Sequence, residues 1–123
     1  MKVIVTAVKE REQYVKEMQD QIPQLEILFD YDYNPMQNFL RGWTTGGQES
    51  RIILQDDIIL TKNFLQKAKK VIDVYPQKII TFFSRKKADS DMGTREMPAS
   101  TYCMNQAYYL PEHYGLHIAK YYN

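Results

Sequence analysis

Two adjacent aspartates stand between two short apolar runs near the middle of the chain. Ile52-Ile53-Leu54 precedes Gln55-Asp56-Asp57, and Ile58-Ile59-Leu60 follows it. Apolar residues this dense predict a strand that is buried on both faces of a sheet. Two carboxylates at the end of such a strand are costly to bury unless they meet a positive partner. A divalent cation, a basic side chain or a helix N-terminus would meet that need.

The composition is that of an ordinary single globular domain. The 123 residues are 44% hydrophobic and 25% charged, and the formal net charge is +1. This balance gives no global electrostatic attraction to nucleic acid or to a membrane surface. The single cysteine, Cys103, excludes an internal disulfide and predicts a reducing, cytoplasmic setting. No apolar run has the length of a signal peptide or a membrane span.

Strand and helix patterns alternate along most of the chain. Pro23 ends the first helix, Asn34 caps the second before Pro35, and Thr61 caps the third. The order β-α-β-α-β-α-β predicts an α/β fold, a mostly parallel sheet with helices on both faces. The predicted strands are residues 2–8, 25–29, 51–54, 78–83 and 101–109, and the predicted helices are residues 10–22, 35–43, 62–75 and a last one opened by Pro111.

A polar, charged stretch without periodicity, residues 84–100, follows the fourth predicted strand. A loop this long inside a compact domain is usually functional or disordered. We take it as a candidate lid or acceptor contact. Arg85-Lys86-Lys87 within it would attract phosphates, although a solvated charge run is the alternative.

Acidic and small side chains converge at one end of the predicted sheet. Ligands of open α/β sheets bind beyond the C-terminal ends of the strands. A divalent cation that carries a diphosphate takes one or two carboxylates from the protein. The alternative is that Asp57, close to Thr61 in the sequence, merely helps to cap the third helix. The residues predicted to meet at this end are Thr6, Ala7, Asp30, Asp32, Asp56 and Asp57.

The first two strands end in segments with two interpretations each. Asp30 and Asp32 would hold a ribose or base through hydrogen bonds, or they would simply build a turn. Small Thr6 and Ala7 would let a nucleotide approach the backbone, and Arg11 would meet a phosphate. An ordinary strand-to-helix connection is the alternative there, since the glycines of a phosphate loop are missing.

Tyrosines cluster late in the chain. Of the ten tyrosines, six lie after position 100. This clustering predicts a tyrosine-rich C-terminal surface for contact with a partner or a sugar. His113 and His117 are spaced to share a helix face, but the Glu of a zinc-protease motif does not follow His113.

The segment Arg51–Leu60, with Phe64 after it, resembles the metal-site segment of GT-A-fold glycosyltransferases. It is most similar to the group of the lipooligosaccharide and procollagen galactosyltransferases and their small phage or bacterial relatives. Those proteins carry an apolar strand, Glu-Asp-Asp or a variant, an apolar triplet and a helix that begins near a Phe. The stretch Met104–Pro111 is similar to a later strand of the family, and the order of elements fits its Rossmann-like nucleotide-binding half.

The resemblance implies that residues 1–123 form a single GT-A-like domain. It implies that Mn²⁺ or Mg²⁺ bridges the diphosphate of a nucleotide-sugar donor, with Asp57 as the direct ligand. Asp56 would share the metal or contact the sugar or ribose. The nucleotide-sugar-binding residues implied in this way are Thr6, Ala7, Arg11, Asp30, Asp32 and Asp56.

We therefore predict glycosyl transfer to an acceptor, whether glycan, protein or nucleic acid base. Gln55 stands where the family has an acid, which predicts a weaker metal site or ligation through water. The chain also ends soon after the last matched helix, so a minimal enzyme, a truncated form and a nucleotide-sugar-binding remnant all stay open. The alternative function is a non-catalytic module that binds a nucleotide-sugar or forms a homo-oligomer through the tyrosine-rich surface.

Overall fold

A computed structural model describes residues 1–82 and 106–121 of the chain. Within these residues no helix is both long and apolar enough to cross a membrane. A short 3-10 turn, Lys9–Arg11, precedes the first α-helix. The strands are β1 (Lys2–Ala7), β2 (Glu26–Phe29), β3 (Arg51–Gln55), β4 (Ile80–Thr81) and β5 (Ala107–Leu110). The helices are α1 (Glu12–Gln21), α2 (Pro35–Thr44), α3 (Phe64–Val74) and α4 (Tyr114–Ala119).

The five described strands form one mixed sheet in the order β2-β1-β3-β5-β4. β1 pairs in parallel with β2 and β3, whereas β5 pairs antiparallel with both β3 and β4. The predicted α/β class is confirmed, but the sheet is only partly parallel. The difference arises because β5 enters between β3 and β4 in the reverse direction. An apolar run such as Ala107–Leu110 does not mark strand direction, since its side chains fit either ladder.

The face of the sheet that carries α1 and α3 holds the larger cluster of buried side chains. Val5 of β1 and Leu54 of β3 pack there with Val15 of α1 and Ile72 of α3. Successive residues of a strand point to opposite faces, so every second residue of β1 and β3 faces these helices. Both strands are buried on both faces, as the dense apolar runs predict.

The opposite face of the sheet is covered by α2 and α4. Ile4 and Ile53 pack there with Leu40 and Trp43 of α2 and with Ala119 of α4. The result is a three-layer arrangement of helices, sheet and helices. The carboxyl ends of β1, β2 and β3 point to one edge of this arrangement, where the predicted site residues follow the strands.

The ends of α2 are as predicted. The Asn34 side chain accepts a hydrogen bond of 3.2 Å from the Gln37 N–H, and Pro35 occupies the first helical position. The helix ends at Thr44, and the two residues Gly46 and Gly47 adopt φ angles of 79° and 74°. These left-handed values explain why glycines follow the helix.

The predicted cap of α3 is wrong. The helix begins at Phe64, and Asn63 before it has a φ of 61° and makes no capping bond with its side chain. Thr61 instead contributes its backbone carbonyl, which accepts a 3.1 Å hydrogen bond from the Phe64 N–H. A turn at Lys62 and Asn63 therefore separates Thr61 from the helix, so its hydroxyl cannot act as the N-cap.

The apolar triplet after the aspartates is not a buried strand. β3 ends at Gln55, and residues 58–60 form no regular element. Leu60 is buried in the core, but Ile59 is 96% exposed. The apolar pattern does not show that the strand ends at Gln55. Beyond the strand, side chains no longer alternate between two faces covered by helices, so an apolar residue such as Ile59 can be exposed.

Several predicted features lie outside the described residues. They include the polar stretch 84–100 with Arg85-Lys86-Lys87, and Cys103. Of the strand predicted at 101–109, residues 101–105 also lie outside, and the described part begins as β5 at Ala107.

Candidate functional site

The ends of β1, β2 and β3 are linked by two hydrogen bonds. On one side of β1, the Asp30 N–H donates to the Ala7 carbonyl at 2.7 Å. On the other side, the Val8 N–H donates to Asp56 Oδ2 at 2.8 Å. Asp30 and Asp56 therefore flank the end of β1, which confirms that the residues after these three strands lie at one edge of the sheet.

The Asp56 carboxylate is occupied by groups of the protein itself. Oδ2 accepts from the Val8 N–H, and Oδ1 lies 3.9 Å from the Arg11 Nε. Its side chain is only 16% exposed. The positive partner expected for the aspartate pair is thus a basic side chain in the case of Asp56.

The Asp57 carboxylate, in contrast, is exposed to solvent. Its Oδ2 accepts a 3.1 Å hydrogen bond from the Gln106 side-chain amide. The Gln106 carbonyl accepts in turn from the Gln55 N–H at 2.9 Å, so Gln106 ties the start of β5 to the end of β3. The Asp57 carboxylate is therefore exposed and is held by Gln106 just beyond the end of the buried strand β3.

The segment after β2 is a turn built around a buried carboxylate. Asp30 is 8% exposed, and its Oδ1 accepts a 2.9 Å hydrogen bond from the Asn34 N–H. With this bond the Asp30 side chain stabilises a turn, as Asp side chains commonly do. Asp32 is exposed in the same turn, and Tyr33 adopts a φ of 52°. The turn interpretation is therefore correct for Asp30, which still faces the end of β1.

The 3-10 turn Lys9–Arg11 is connected to the segment after β2. The Lys9 ammonium lies 4.9 Å from the centre of the Phe29 ring, and Tyr31 packs on that ring at 5.8 Å. The Tyr33 hydroxyl donates to the Glu10 carboxylate. This bond lowers the pKa of Glu10 and raises the pKa of Tyr33. The turn after β1 and the aromatic side chains after β2 are therefore in contact through these pairs.

The small residues at the end of β1 are buried. Thr6 is 6% exposed and Ala7 is 3% exposed. A Cβ added to Gly42 of α2 would lie 3.3 Å from the Thr6 Cγ2, so the Thr6 side chain faces α2. Ala7 packs in the cluster beneath α1 and α3. A ligand at this edge would first meet the chain from Val8 onward.

The carboxylates at this edge suit a cation that takes most of its ligands from water and from the phosphates of a bound substrate. Among residues 1–82 and 106–121, no three His, Cys, Asp or Glu side chains form a group that could hold a metal ion. Mg²⁺ in proteins is often bound through one or two carboxylates, together with water and substrate phosphates. The exposed Asp57 carboxylate fits that mode, whereas the Asp56 carboxylate is mostly buried and already accepts from the Val8 N–H.

The late tyrosines divide between core and surface. Tyr108 and Tyr109 are each 3% exposed and belong to the two buried clusters, so the prediction of a tyrosine-rich surface is wrong for them. They are buried because β5 lies inside the sheet. Tyr114 and Tyr121 are exposed on either side of His117, whose ring packs against theirs at 5.9 and 5.7 Å. The backbone N–H of His113 donates to the Gln48 carbonyl at 2.7 Å.

Three contributors to this edge were not predicted from the sequence. Gln106 supports Asp57, and Glu10 and Tyr33 join the turns after β1 and β2. A side-chain bond between residues that are far apart in sequence leaves no spacing pattern. The sequence places Gln106 inside the predicted strand 101–109, whereas β5 begins one residue later, at Ala107.

A buried arginine was also missed. Arg51 is 1% exposed, and its guanidinium donates to the carbonyls of Gly42, Thr45, Gly47 and Glu49 at distances of 2.6 to 3.2 Å. Burial lowers the pKa of this guanidinium. Arg51 thus holds the C-terminal end of α2 at the start of β3, at the edge of the sheet opposite the aspartates.

Comparisons with protein-family models, with curated proteins and with solved structures found no match.

Proposed function

We propose that the chain binds a nucleoside-diphosphate sugar together with Mn²⁺ or Mg²⁺ and transfers the sugar to an acceptor. The observation that carries the proposal is the exposed Asp57 carboxylate, held by Gln106 beyond the end of buried β3. Two neighbouring strand ends lie at the same edge, where α/β sheets bind their ligands. The resemblance of Arg51–Leu60 to the metal-site segment of GT-A glycosyltransferases supplies the choice of ligand.

The cation would be shared between Asp57 and the phosphates of the donor. When bound, the cation neutralises the charge that develops on the departing diphosphate. Asp57 supplies one carboxylate and fixes the position of the diphosphate relative to β3. Arg11, which has a side chain 46% exposed beside Asp56, adds a positive charge at the same edge.

The nucleoside would lie on the aromatic surface beyond β2. Tyr31 is 66% exposed and packs on Phe29, and Lys9 approaches the same ring. An exposed ring offers a face on which a base can stack. Asp32, exposed in the same turn, is placed to accept a hydrogen bond from a ribose hydroxyl. Asp30 contributes by holding the turn that presents both side chains.

The proposed reaction exchanges one bond of the sugar for another. The bond between the anomeric carbon and the diphosphate oxygen breaks, and the nucleoside diphosphate leaves with the electron pair. A bond from an acceptor oxygen or nitrogen to the same carbon forms, and the acceptor's proton passes to a general base.

A second candidate is a module that binds the nucleotide-sugar without turning it over. One observation favours it, namely that Val8 and Arg11 occupy the Asp56 carboxylate, so that Asp57 alone remains exposed at a place where the family has further acids. The two candidates differ in hydrolysis. An active transferase slowly releases free sugar from its donor into water, whereas a binding module leaves the donor intact.

Titration calorimetry with UDP-, GDP- and CMP-sugars, each with Mn²⁺ or with EDTA, tests the proposal. We expect heat of binding with one UDP- or GDP-sugar in Mn²⁺ and none in EDTA. CMP-sugars carry a single phosphate and serve as the control, because a cation that bridges two phosphates requires a diphosphate. The absence of metal-dependent binding across the set would contradict the proposal.

A further inference from the structure

Asp56 continues the hydrogen-bonding ladder where the strands themselves stop. β1 and β3 pair in parallel up to Thr6 and Gln55, and β1 ends at Ala7. The Val8 N–H comes next and needs an acceptor, because unpaired backbone donors at a partly buried position are costly. Asp56 Oδ2 provides that acceptor at 2.8 Å. One side chain therefore fixes the point at which the chain leaves the sheet for the 3-10 turn.

The same carboxylate also controls where Arg11 lies. The Arg11 Nε is 3.9 Å from Asp56 Oδ1, which is beyond hydrogen-bonding distance but close enough for attraction between the charges. The Arg11 side chain is 46% exposed, whereas that of Asp56 is 16% exposed. A long ion pair whose cation is half exposed to water is weak. The arginine is thus held near the site by an interaction that an anionic ligand can replace.

A diphosphate is a better partner for this guanidinium than Asp56 is. Guanidinium groups bind phosphate oxygens through two parallel N–H···O bonds, and such pairs are stronger than a single long ion pair. In the structure Asp56 holds Arg11 only through the 3.9 Å ion pair, which lies beyond hydrogen-bonding distance. Exchange of Arg11 from Asp56 to a diphosphate would leave the Val8 bond in place.

We propose that Asp56 is a positioning residue and not a metal ligand: it fixes the Val8–Arg11 turn and holds Arg11 until a diphosphate replaces it. This inference rests on the proposed function for the identity of the anion. It departs from the prediction that Asp56 shares the metal with Asp57. It assigns the cation to Asp57 alone among the two aspartates and the diphosphate to Arg11.

The first test is made without ligand. Amide hydrogen exchange of Val8 is measured by NMR in the wild type, Asp56→Asn and Asp56→Ala. We expect exchange in Asp56→Ala to be faster on the order of tenfold, because the acceptor is lost. Asp56→Asn retains an acceptor oxygen and should stay within about threefold of the wild type. Unchanged exchange in Asp56→Ala would overturn the positioning role.

The second test follows Arg11 with inorganic pyrophosphate in EDTA. Asp56→Asn should bind pyrophosphate about two- to fivefold more tightly than Asp57→Asn, because only the first change releases Arg11 from its resting partner. Both variants lose one negative charge, so the comparison cancels the general electrostatic effect. Adding Arg11→Gln to each variant should abolish the difference. Equal affinities of the two single variants, or no pyrophosphate binding by any variant, would overturn the exchange.

The third test separates this inference from the proposed function. Mn²⁺-dependent binding of the nucleotide-sugar should be lost in Asp57→Asn and retained within about threefold in Asp56→Asn. If Asp56→Asn loses Mn²⁺-dependent binding while its Val8 amide still exchanges slowly, Asp56 is a metal ligand. That result would overturn this inference and leave the proposed function standing. Absence of Mn²⁺-dependent binding in the wild type would instead count against the proposed function, while the Val8 and pyrophosphate results still decide the roles of Asp56 and Arg11.

Discussion

The indole N–H of Trp43 donates a 2.8 Å hydrogen bond to the hydroxyl of Tyr108 inside the core. The bond joins α2 to β5, the antiparallel strand that distinguishes this sheet from a fully parallel one. Tyr108 is 3% exposed, so neither group can turn to bulk water for a substitute. The hydrogen bond therefore links α2 directly to the antiparallel strand β5.

Tyr108→Phe should destabilise the protein by about 1–3 kcal/mol, because the buried Trp43 N–H loses this acceptor. Urea unfolding followed by tryptophan fluorescence measures the change. Tyr14→Phe is the matched control, since Tyr14 is exposed on α1, and it should change stability by less than about 0.5 kcal/mol. Equal stability of the two variants would contradict the importance of the bond.

The same tyrosine predicts how stability depends on alkaline pH. Burial raises the pKa of Tyr108 from 10.0 to about 12. The contribution of protonated Tyr108 to the free energy of unfolding is fully present below pH 10.0, where the tyrosine is protonated in the unfolded state as well. This contribution is lost as the pH rises toward about 12. In this window the free energy of unfolding should fall by about 1.4 kcal/mol per pH unit through this group. Unfolding in the wild type and Tyr108→Phe should show the steeper decline in the wild type; parallel curves would contradict the shift.

Gly115→Ala should be strongly destabilising because α4 approaches α2 at this residue. A Cβ built there would lie 2.0 Å from the Trp43 carbonyl oxygen. Overpacking against backbone costs about 1–3 kcal/mol, occasionally more. Gly42→Ala is the control: its Cβ would lie 3.3 Å from the Thr6 Cγ2, a tight contact with a side chain, and about 1 kcal/mol of helix propensity offsets part of that crowding. Thermal unfolding should therefore rank Gly115→Ala well below Gly42→Ala, and the reverse order would be inconsistent with the close helix contact.

Arg51→Met should cost about 3 kcal/mol or more. The substitution keeps an unbranched side chain but removes the guanidinium that donates to the carbonyls of Gly42 in α2 and of Thr45, Gly47 and Glu49 after it. Arg41→Met is the control, because Arg41 is exposed and, among the described residues, its guanidinium bonds the Phe29 carbonyl and the Asn38 side chain; its loss should cost about 1 kcal/mol. Urea unfolding compares the two. A similar small cost for both would mean that water replaces the Arg51 bonds.

The sequence predicts the local elements of the first half better than the arrangement of the second half. Asn34 and Pro35 act within one turn of the helix they begin, so their pattern determines the N-terminus of α2. The first helix, predicted at residues 10–22, is found at Glu12–Gln21, with Val15 and Met18 buried. The direction of β5 is different, because it depends on which strands flank it and not on its own residues.

The candidate site also has one part that the sequence predicts and another that it does not. The convergence of Asp30 and Asp56 at the end of β1 follows from the topology of β1, β2 and β3, and it is confirmed. The difference between Asp56 and Asp57 is invisible in the sequence, because it depends on the Val8 N–H and on Arg11. Arg51 was missed for a related reason: an arginine beside an apolar run is usually taken to be at the surface, and only the folded end of α2 provides the carbonyls that bury it.

Calorimetric titration of Asp57→Ala tests the central claim most directly. The wild type, Asp57→Ala and Asp73→Ala are titrated with the UDP- or GDP-sugar that binds the wild type, each in Mn²⁺ and in EDTA. Asp73 is an exposed carboxylate near the end of α3, so its removal controls for charge alone. We predict that Asp57→Ala loses Mn²⁺-dependent binding at least tenfold, as expected when one of few metal ligands is removed, while Asp73→Ala binds as the wild type does. Mn²⁺-dependent binding that is unchanged in Asp57→Ala would contradict the account.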